Sequence, residues 1–328
     1  AAVTARQQGW QVSLFEAAPQ LGGRARTLDT LNHRPLDNGQ HVLLGAYETV
    51  LNLLQSVGTD PAQVLRAHPL CLQTPNGQGM RWPQYAVRRW PWGLGPWVAQ
   101  MAMLHATLSA QGWPWRDKWA LLRTASRWQA MGFAAPAHWS VAQLCEGMPA
   151  SVMQAWVTPL CVSALNLPPE AASASVFLRV LKDGLLGPGW GPWAASAMLL
   201  PQPDLEAAFV RPMRQWLLNN GVRLNMGQSL GRVLGVRRLD GQAWGLQTAQ
   251  SEQRFDAVVL ACPAPEAARL ARPWAAAWAH KAQALEHSAI ATVYTQPLAP
   301  TPHAYMALHG GPAQFVFCHP THWAWVIS

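Results

Sequence analysis

"WQVSLFEAAPQLGGRARTLD", residues 10–29, is the stretch whose reading decides the fold. The alternation of apolar residues from Gln11 to Phe15 predicts a strand. That strand ends on a carboxylate, Glu16, and a Gly22-Gly23-Arg24 triplet comes after a short spacer. Ahead of it, "AAVTARQQG" has the composition of a helix, Ala1 to Gln8, closed by Gly9. Helix then strand is the second half of a β-α-β unit, whose right-handed crossover requires a parallel strand before the helix. In a dinucleotide-binding fold the second strand of such a unit ends on an acidic residue, which accepts hydrogen bonds from ribose hydroxyls. Glu16 is therefore a candidate ribose ligand. Gly22 and Gly23 let the backbone turn sharply and approach a ligand closely, and Arg24 offers a planar fork suited to a pyrophosphate. Each part has a plainer reading: a solvated loop carboxylate, a tight turn, an exposed arginine. The combination of strand, Glu, spacer and GGR favours a cofactor site.

Outward from this stretch the pattern alternates. A turn from Asp37 leads to a helix within "AYETVLNLLQSVG". From Arg81 to about Gly147 the chain is crowded with tryptophan, and helical periodicity runs from Gly95 to Ala110 and from Arg116 to Met131. "TPLCVSALNLPPEAASASVFLRVLKDG" predicts more helix, interrupted at Pro168-Pro169, and an uncharged stretch, "GLLGPGWGPWAASAMLLPQP", comes next. A helix then begins near Asp204 as N-cap and ends at Gly221. "VRLNMGQSLGRVLGV" predicts paired strands, "AWGLQTA" another after an Asp240-Gly241 turn, and "RFDAVVLACP" a compact apolar strand ending at Pro263. The tail, "AIATVYTQPL", "AQFVFCH" and "AWVIS", predicts antiparallel strands. The expected fold is α/β: an incomplete Rossmann-like domain interleaved with a helical plus antiparallel-sheet substrate domain. The expected division is 1–80, 81–200 (Trp-rich, helical), 201–270 and 271–328. Both ends read as cut, since the chain opens inside a helix and closes on the unfinished strand "HWAWVIS"; the expectation is a fragment of a longer protein.

Composition narrows the function. Half of the residues are hydrophobic and 12% are charged, about half of the usual 25% or so, so much of the surface is apolar or faces something apolar. The uncharged, tryptophan-containing stretch Trp90 to Trp115 is too broken by Gly, Pro and Gln to span a membrane. The net charge of +8 comes from scattered arginines without a nucleic-acid motif, so nucleic acid is set aside and an anionic membrane surface kept. Five cysteines, far apart and odd in number, fit reduced thiols in a cytoplasmic protein. His319 and His322 are separated by Pro320 and have no partner ligands nearby in sequence, so no metal is expected there.

"EAAPQLGGRARTLD" resembles the stretch after the dinucleotide fingerprint of the FAD-dependent amine oxidase and phytoene desaturase superfamily. The resemblance implies FAD, with Glu16 on the ribose and Gly22, Gly23 and Arg24 along the pyrophosphate. "LDNGQHVLLGAY", residues 36–47, is similar to the family's next motif and implies that Asp37 to His41, with Gly39, Gln40 and His41, lie beside the flavin ring. A family position on the strand after the long helix, whose backbone contacts adenine, falls on Leu230. More narrowly, "ALNLPPEAASA", "LLPQPDLEAAF" and "FDAVVLACP" resemble the hydroxysqualene dehydroxylases. That implies a long isoprenoid lipid substrate, a place in squalene and hopanoid synthesis, other squalene-synthesis enzymes as partners, and a peripheral position on the inner face of the cytoplasmic membrane. Hydroxide is a poor leaving group, so a proton donor is needed. His41 is the candidate by its motif, and equally a hydrogen-bonding residue toward the ring or the backbone; it is grouped with the cofactor, and no catalytic residue is assigned.

Trp90, Trp92, Trp113 and Trp115 sit beside prolines in "RRWPWG" and "GWPWRD", flanked by Arg88, Arg89, Arg116 and Lys118. Tryptophan is favoured where one side is apolar and the other wet. The expectation is a membrane-facing region that, with "GLLGPGWGPWAASAMLL", lines a tunnel for a hydrocarbon. The alternatives left open are a carotenoid-type desaturase or amine oxidase of the same superfamily, and a lipid- or flavin-binding protein without turnover.

Overall fold

The computed structural model describes residues 1–29, 35–91 and 93–328. The chain divides into two compact units, one of residues 1–36, 56–59 and 204–287, the other of residues 37–55, 60–203 and 288–328.

In the first unit the helix Ala2–Gln7 leads through Gly9 into the strand Ser13–Glu16, as the sequence implies. The strand pairs in parallel with Arg223–Met226, in register from Ser13↔Arg223 to Glu16↔Met226. Arg6 Nε donates to Asn220 O at 2.7 Å, tying the first helix to the end of the helix that precedes Arg223. That later helix begins where expected: Asp204 Oδ1 accepts from Ala207 N at 2.8 Å, satisfying one of the orphan donors of a helix start. It runs through Glu206–Val210, wound in an i→i+5 register, into Arg211–Asn219.

Two strand expectations change. "VRLNMGQSLGRVLGV" does not fold back on itself: Arg223–Met226 joins Ser13–Glu16, whereas Gly235–Arg238 joins an antiparallel sheet with Trp244–Gln247 and Glu252–Phe255. Gly227, at φ +84°, turns the chain out of the first strand. In "RFDAVVLACP" the strand lies earlier, at Glu252–Phe255. Residues 257–262 have no ladder partner among the described residues, and Val259 is 71% exposed. An apolar run becomes a strand only where another strand meets its backbone groups. Helices Ala264–Ala271 and Ala276–Gln283 pack through Ala268, Ala279 and Ala282.

The second unit is built on the helices Gly95–Ser109, Trp115–Ala130, Thr158–Leu165 and Ala174–Leu186, which overlap the predicted helical stretches, the second beginning one residue before its stretch and the fourth ending two residues beyond its own. Asn166, in the left-handed region at φ 53°, stops the third of them before Pro168-Pro169. The strand Met198–Pro201 lies between Leu43–Leu44 and Leu65–His68, antiparallel to both. A four-stranded antiparallel sheet orders Ala291–Thr295, Trp323–Ile327, Phe315–Cys318 and Tyr305–Ala307. Tyr305, fully enclosed, ties this sheet to residues 69–71: its hydroxyl donates to Pro69 O at 2.8 Å and accepts from Cys71 N at 2.9 Å.

The core of this unit is aromatic. Trp128 stacks on Trp156, with ring centroids 6.2 Å apart, and meets Phe177 edge-on at 6.3 Å. Trp113, expected at the surface, is instead 9% exposed and belongs to this core. The reason is tertiary. Gln111 and Gly79 exchange backbone hydrogen bonds of 2.9 and 3.0 Å, which pins residues 111–113 against the Cys71–Gln73/Gly79–Arg81 hairpin. Lys118 is also buried, and its Nζ donates to Leu108 O at 2.7 Å. It caps a helix C-terminus rather than reaching a head group. Trp92 lies outside the described residues. The stretch expected to wall a tunnel, residues 184–200, is mostly framework: it supplies the central strand of the small sheet, and Trp190 Nε1 donates to Asn52 Oδ1 at 2.6 Å. Its residues Leu185, Gly187 and Ala194–Ser196 do line a narrow cleft with Arg88, Arg89, Trp90 and Val98. Among the described residues no helix is long and apolar enough to cross a membrane.

Trp128→Ala is expected to cost about 3–5 kcal/mol in chemical denaturation, as for other buried aromatics, whereas Trp119→Ala, at a site 63% exposed, should change stability by no more than about 0.5 kcal/mol. Equal losses would contradict this division of the tryptophans.

Candidate cofactor site

In the first unit the end of the strand at Glu16 is shaped by the turn beyond its partner strand. Glu16 Oε1 accepts from Ala18 N at 2.8 Å, closing the local loop. Ala18 O accepts from Gly227 N at 3.1 Å, and Gln228 Nε2 donates to Ala17 O at 3.3 Å. Gly231 presses on the same point: a Cβ there would stand 2.0 Å from Glu16 O and 2.5 Å from Asn225 O. No substituent fits, so Gly231 sets the position of the Glu16 backbone without touching its carboxylate. Leu230 is not on a strand as expected. It ends the helical turn Gly227–Leu230 and is 47% exposed.

The Gly22-Gly23-Arg24 triplet forms a tight turn in which Ala25 N donates to Gly22 O at 2.9 Å. Both glycines have positive φ, +105° and +57°, where L side chains are strained. A Cβ on Gly22 would meet Val210 Cγ2 at 2.8 Å, so this glycine packs against the Glu206–Val210 helix, whereas Gly23 faces open space. The segment is anchored further by Thr27 Oγ1, which accepts from Glu206 N at 2.9 Å, and by Gln20 Nε2, which donates to Thr27 O at 2.8 Å. Arg24 is exposed. The residue that reading the sequence missed is Arg26: its Nε is buried and has no hydrogen-bond partner among the described residues. Buried polar groups are nearly always paired, so an unpaired guanidinium nitrogen beside an open glycine turn suits an anion. The residues present fit a pyrophosphate-bearing cofactor.

In the second unit the motif at residues 37–41 is a turn with Gly39 at φ +90°, where Gly39 N donates to Asp37 O at 2.8 Å. Gln40 N reaches Thr292 Oγ1 at 3.4 Å, and Gln40 Nε2 donates to His41 O at 3.3 Å. His41 Nδ1 lies 3.0 Å from Gly39 O. The backbone partner, one of the two roles expected for His41, is present, with Nδ1–H donating to Gly39 O. Tyr294 donates to Asp37 O at 2.7 Å and packs edge-on against His322, centroids 5.4 Å apart, which stacks on His319 at 4.6 Å. Burial pushes the Tyr294 hydroxyl up to about 12, with the Asp37 charge second. Burial also holds both imidazoles down, His322 to about 4 with His319 as the further cause. All three are uncharged at neutral pH. No local sequence signal joins Tyr294, His319 and His322 to residues 37–41, because strand pairing alone brings them together. Among the described residues no three His, Cys, Asp or Glu side chains are grouped to hold a metal. The five cysteines are free, and burial pushes Cys145 to about 12 and Cys161 to about 11, so neither is a ready nucleophile.

The fold is a mixed α/β fold shared with flavin amine oxidases over the whole chain. A putrescine oxidase bound to putrescine superposes with a TM-score of 0.63 at 14% identity, covering 100% of this chain and 72% of that one. Residues 1–138 match the family model described as flavin containing amine oxidoreductase. Hydroxysqualene dehydroxylase from Sinorhizobium fredii is 26% identical over 275 residues, 82% of this chain and 60% of its own length. Hydroxysqualene dehydroxylase from Rhodopseudomonas palustris is 26% identical over 276 residues, with the same two coverages. The chain thus spans 60% of the length of these relatives. Residues 1–138 are thus similar to the flavin containing amine oxidoreductases, and the chain is distantly similar to hydroxysqualene dehydroxylase.

Gly231→Ala is expected to weaken binding of added FAD about tenfold or more by displacing Glu16, though residue 231 carries no ligand group; titration by flavin fluorescence measures it, and unchanged affinity would contradict the proposed lever. A second expectation concerns pH. The folded pKa of His322 lies below its unfolded value near 6.5, so the unfolded chain binds more protons between about pH 6.5 and pH 4. Stability is full above that window and falls as pH drops through it. His322→Gln should flatten the fall in thermal unfolding midpoint over the same window.

Proposed function

We propose that the protein is an FAD-dependent oxidoreductase that reductively removes the hydroxyl group of hydroxysqualene to give squalene. One observation carries the cofactor reading: a strand-end carboxylate, an open left-handed glycine turn and a buried guanidinium nitrogen without a partner stand within residues 16–26. The homology to hydroxysqualene dehydroxylase, running over 82% of the chain, supports the substrate.

In this reading Glu16 accepts from the ribose hydroxyls through the carboxylate oxygen that Ala18 leaves open. Gly22, Gly23 and Arg24 run along the pyrophosphate, and Arg26 supplies a further donor toward it. When bound and reduced, the flavin supplies the hydride that replaces the departing hydroxyl at an allylic carbon, and the hydroxyl leaves as water after taking up a proton. The turn at Gly39, Gln40 and His41 serves the ring end of the cofactor. Uncharged Tyr294, His319 and His322 suit a carbon centre that becomes positive as the C–O bond breaks, since aromatic faces attract a cation and an imidazolium would repel it. The broad exposed apolar surface of the second unit favours a lipid over a small amine.

Glu16→Ala should lower FAD affinity about tenfold or more, given ~1.5–3 kcal/mol for hydrogen bonds to a charged group. The full-length protein, reduced and held without oxygen, should convert hydroxysqualene to squalene. Bound flavin without squalene would overturn the dehydroxylase reading and leave a flavoprotein of another substrate; desaturation of phytoene instead would establish the carotenoid-type alternative.

A further inference from the structure

The Gly95–Ser109 helix is packed inside out. Ala102 and Ala106 are fully buried, with Ala99 beside them on the same side, so the small residues face the core. The large ones face outward: Leu94, just before the helix, then Trp97, Met101, Leu104 and Leu108, exposed by 47%, 70%, 56%, 36% and 37%. Positions 97, 101, 104 and 108 have the i, i+4, i+7, i+11 spacing of a single helix face. Exposed Gln100 and His105 lie among them, yet the face is mostly apolar, and a helix whose large apolar side chains face away from its core normally has them covered.

The next helix, Trp115–Ala130, continues the surface. Trp115 and Trp119 are each 63% exposed and one turn apart. Lys118 joins the two helices: its Nζ lies 2.7 Å from Leu108 O and 5.1 Å from the Trp115 ring centroid. The outer Trp pair thus stands at the Leu108 end of the stripe. At the other end, Arg88, Arg89 and the exposed Trp90 share a cleft with Gly95, Val98 and Ala99.

Charge selects the occupant. Residues 61–145 contain seven arginines and one lysine against a single acid, Asp117. That acid is buried, 3% exposed, and accepts from Ser151 Oγ and Arg116 Nε, so its carboxylate is engaged with Arg116 and no other carboxylate of this stretch opposes the exposed Arg88, Arg89 and Arg123. A second copy of the chain would bring like charge against like charge across a two-fold axis. A bilayer with anionic head groups accepts both parts: apolar side chains enter the acyl boundary, tryptophans sit at its edge, and arginines meet the phosphates.

We propose that this face, formed by Leu94, Trp97, Met101, Leu104, Leu108, Trp115 and Trp119 with its arginine rim, seats the protein on an anionic lipid bilayer. The claim rests on the exposed face and not on the reaction proposed above, so loss of one leaves the other standing. Flotation of the full-length protein with vesicles of phosphatidylcholine and phosphatidylglycerol tests it. The protein should float with the mixed vesicles, less with phosphatidylcholine alone, and less again at high salt. The double variant Trp97→Ser/Met101→Ser should bind at least about tenfold more weakly while keeping the wild-type thermal midpoint, and Trp278→Ser, an exposed tryptophan of the first unit, should bind as wild type. Three outcomes would overturn the proposal: no flotation with either vesicle, equal loss from Trp278→Ser, or a dimer in sedimentation that the double variant dissolves.

Discussion

The parallel ladder between Ser13–Glu16 and Arg223–Met226 is the constraint on which the candidate site depends. It joins segments far apart in sequence, and everything near Glu16 is built upon it. The turn at Gly227 departs from the partner strand and buttresses residues 17 and 18, and Gly231 closes on the Glu16 carbonyl. The helix that enters this partner strand is the one whose Val210 excludes any side chain at Gly22 and whose Glu206 N–H holds Thr27. The backbone that carries the carboxylate and the glycine turn is thus buttressed by one helix-strand-turn passage, residues 204–231, while neighbours in sequence hold the side chain and close the turn.

The second unit solves a different problem. Its core is filled by Trp128, Trp156 and Phe177, leaving small residues to pack the inner side of the Gly95–Ser109 helix. Close helix packing needs small side chains, and the large ones are then free to face outward. The same unit shelters an uncharged polar group, Tyr294, His319 and His322, beside the turn at Gly39. Burial keeps imidazoles neutral where a lone charge would be costly, so the chemistry open to this group is hydrogen bonding and π contact rather than a standing positive charge.

The features legible in the sequence are the local ones. Glu16, Gly22 and Gly23 are set by spacing within a single strand and turn, and the helices at residues 95–109 and 115–130 by periodicity. Features decided by distant partners are not legible. Trp113 reads as a surface residue because prolines flank it, yet the pairing of Gln111 with Gly79 turns it inward. Trp90, Trp97 and Trp115 share the proline cue and are exposed, but so is Trp119, which lacks it. Leu230 is placed on a strand by the family resemblance, but Gly227 has already ended the ladder. Arg26 carries no motif of its own; only the burial of its Nε without a partner marks it.

The central claim is that the protein, loaded with FAD, removes a hydroxyl group by delivering hydrogen to the carbon that held it. The direct measurement is one anaerobic turnover of the reduced protein with hydroxysqualene in deuterated water, with the squalene analysed by mass spectrometry. Reduced flavin exchanges its transferable hydrogen with solvent, so the claim predicts squalene with a single deuterium at the former carbinol carbon. Squalene without that label, or no squalene from a protein shown to hold flavin, would contradict it.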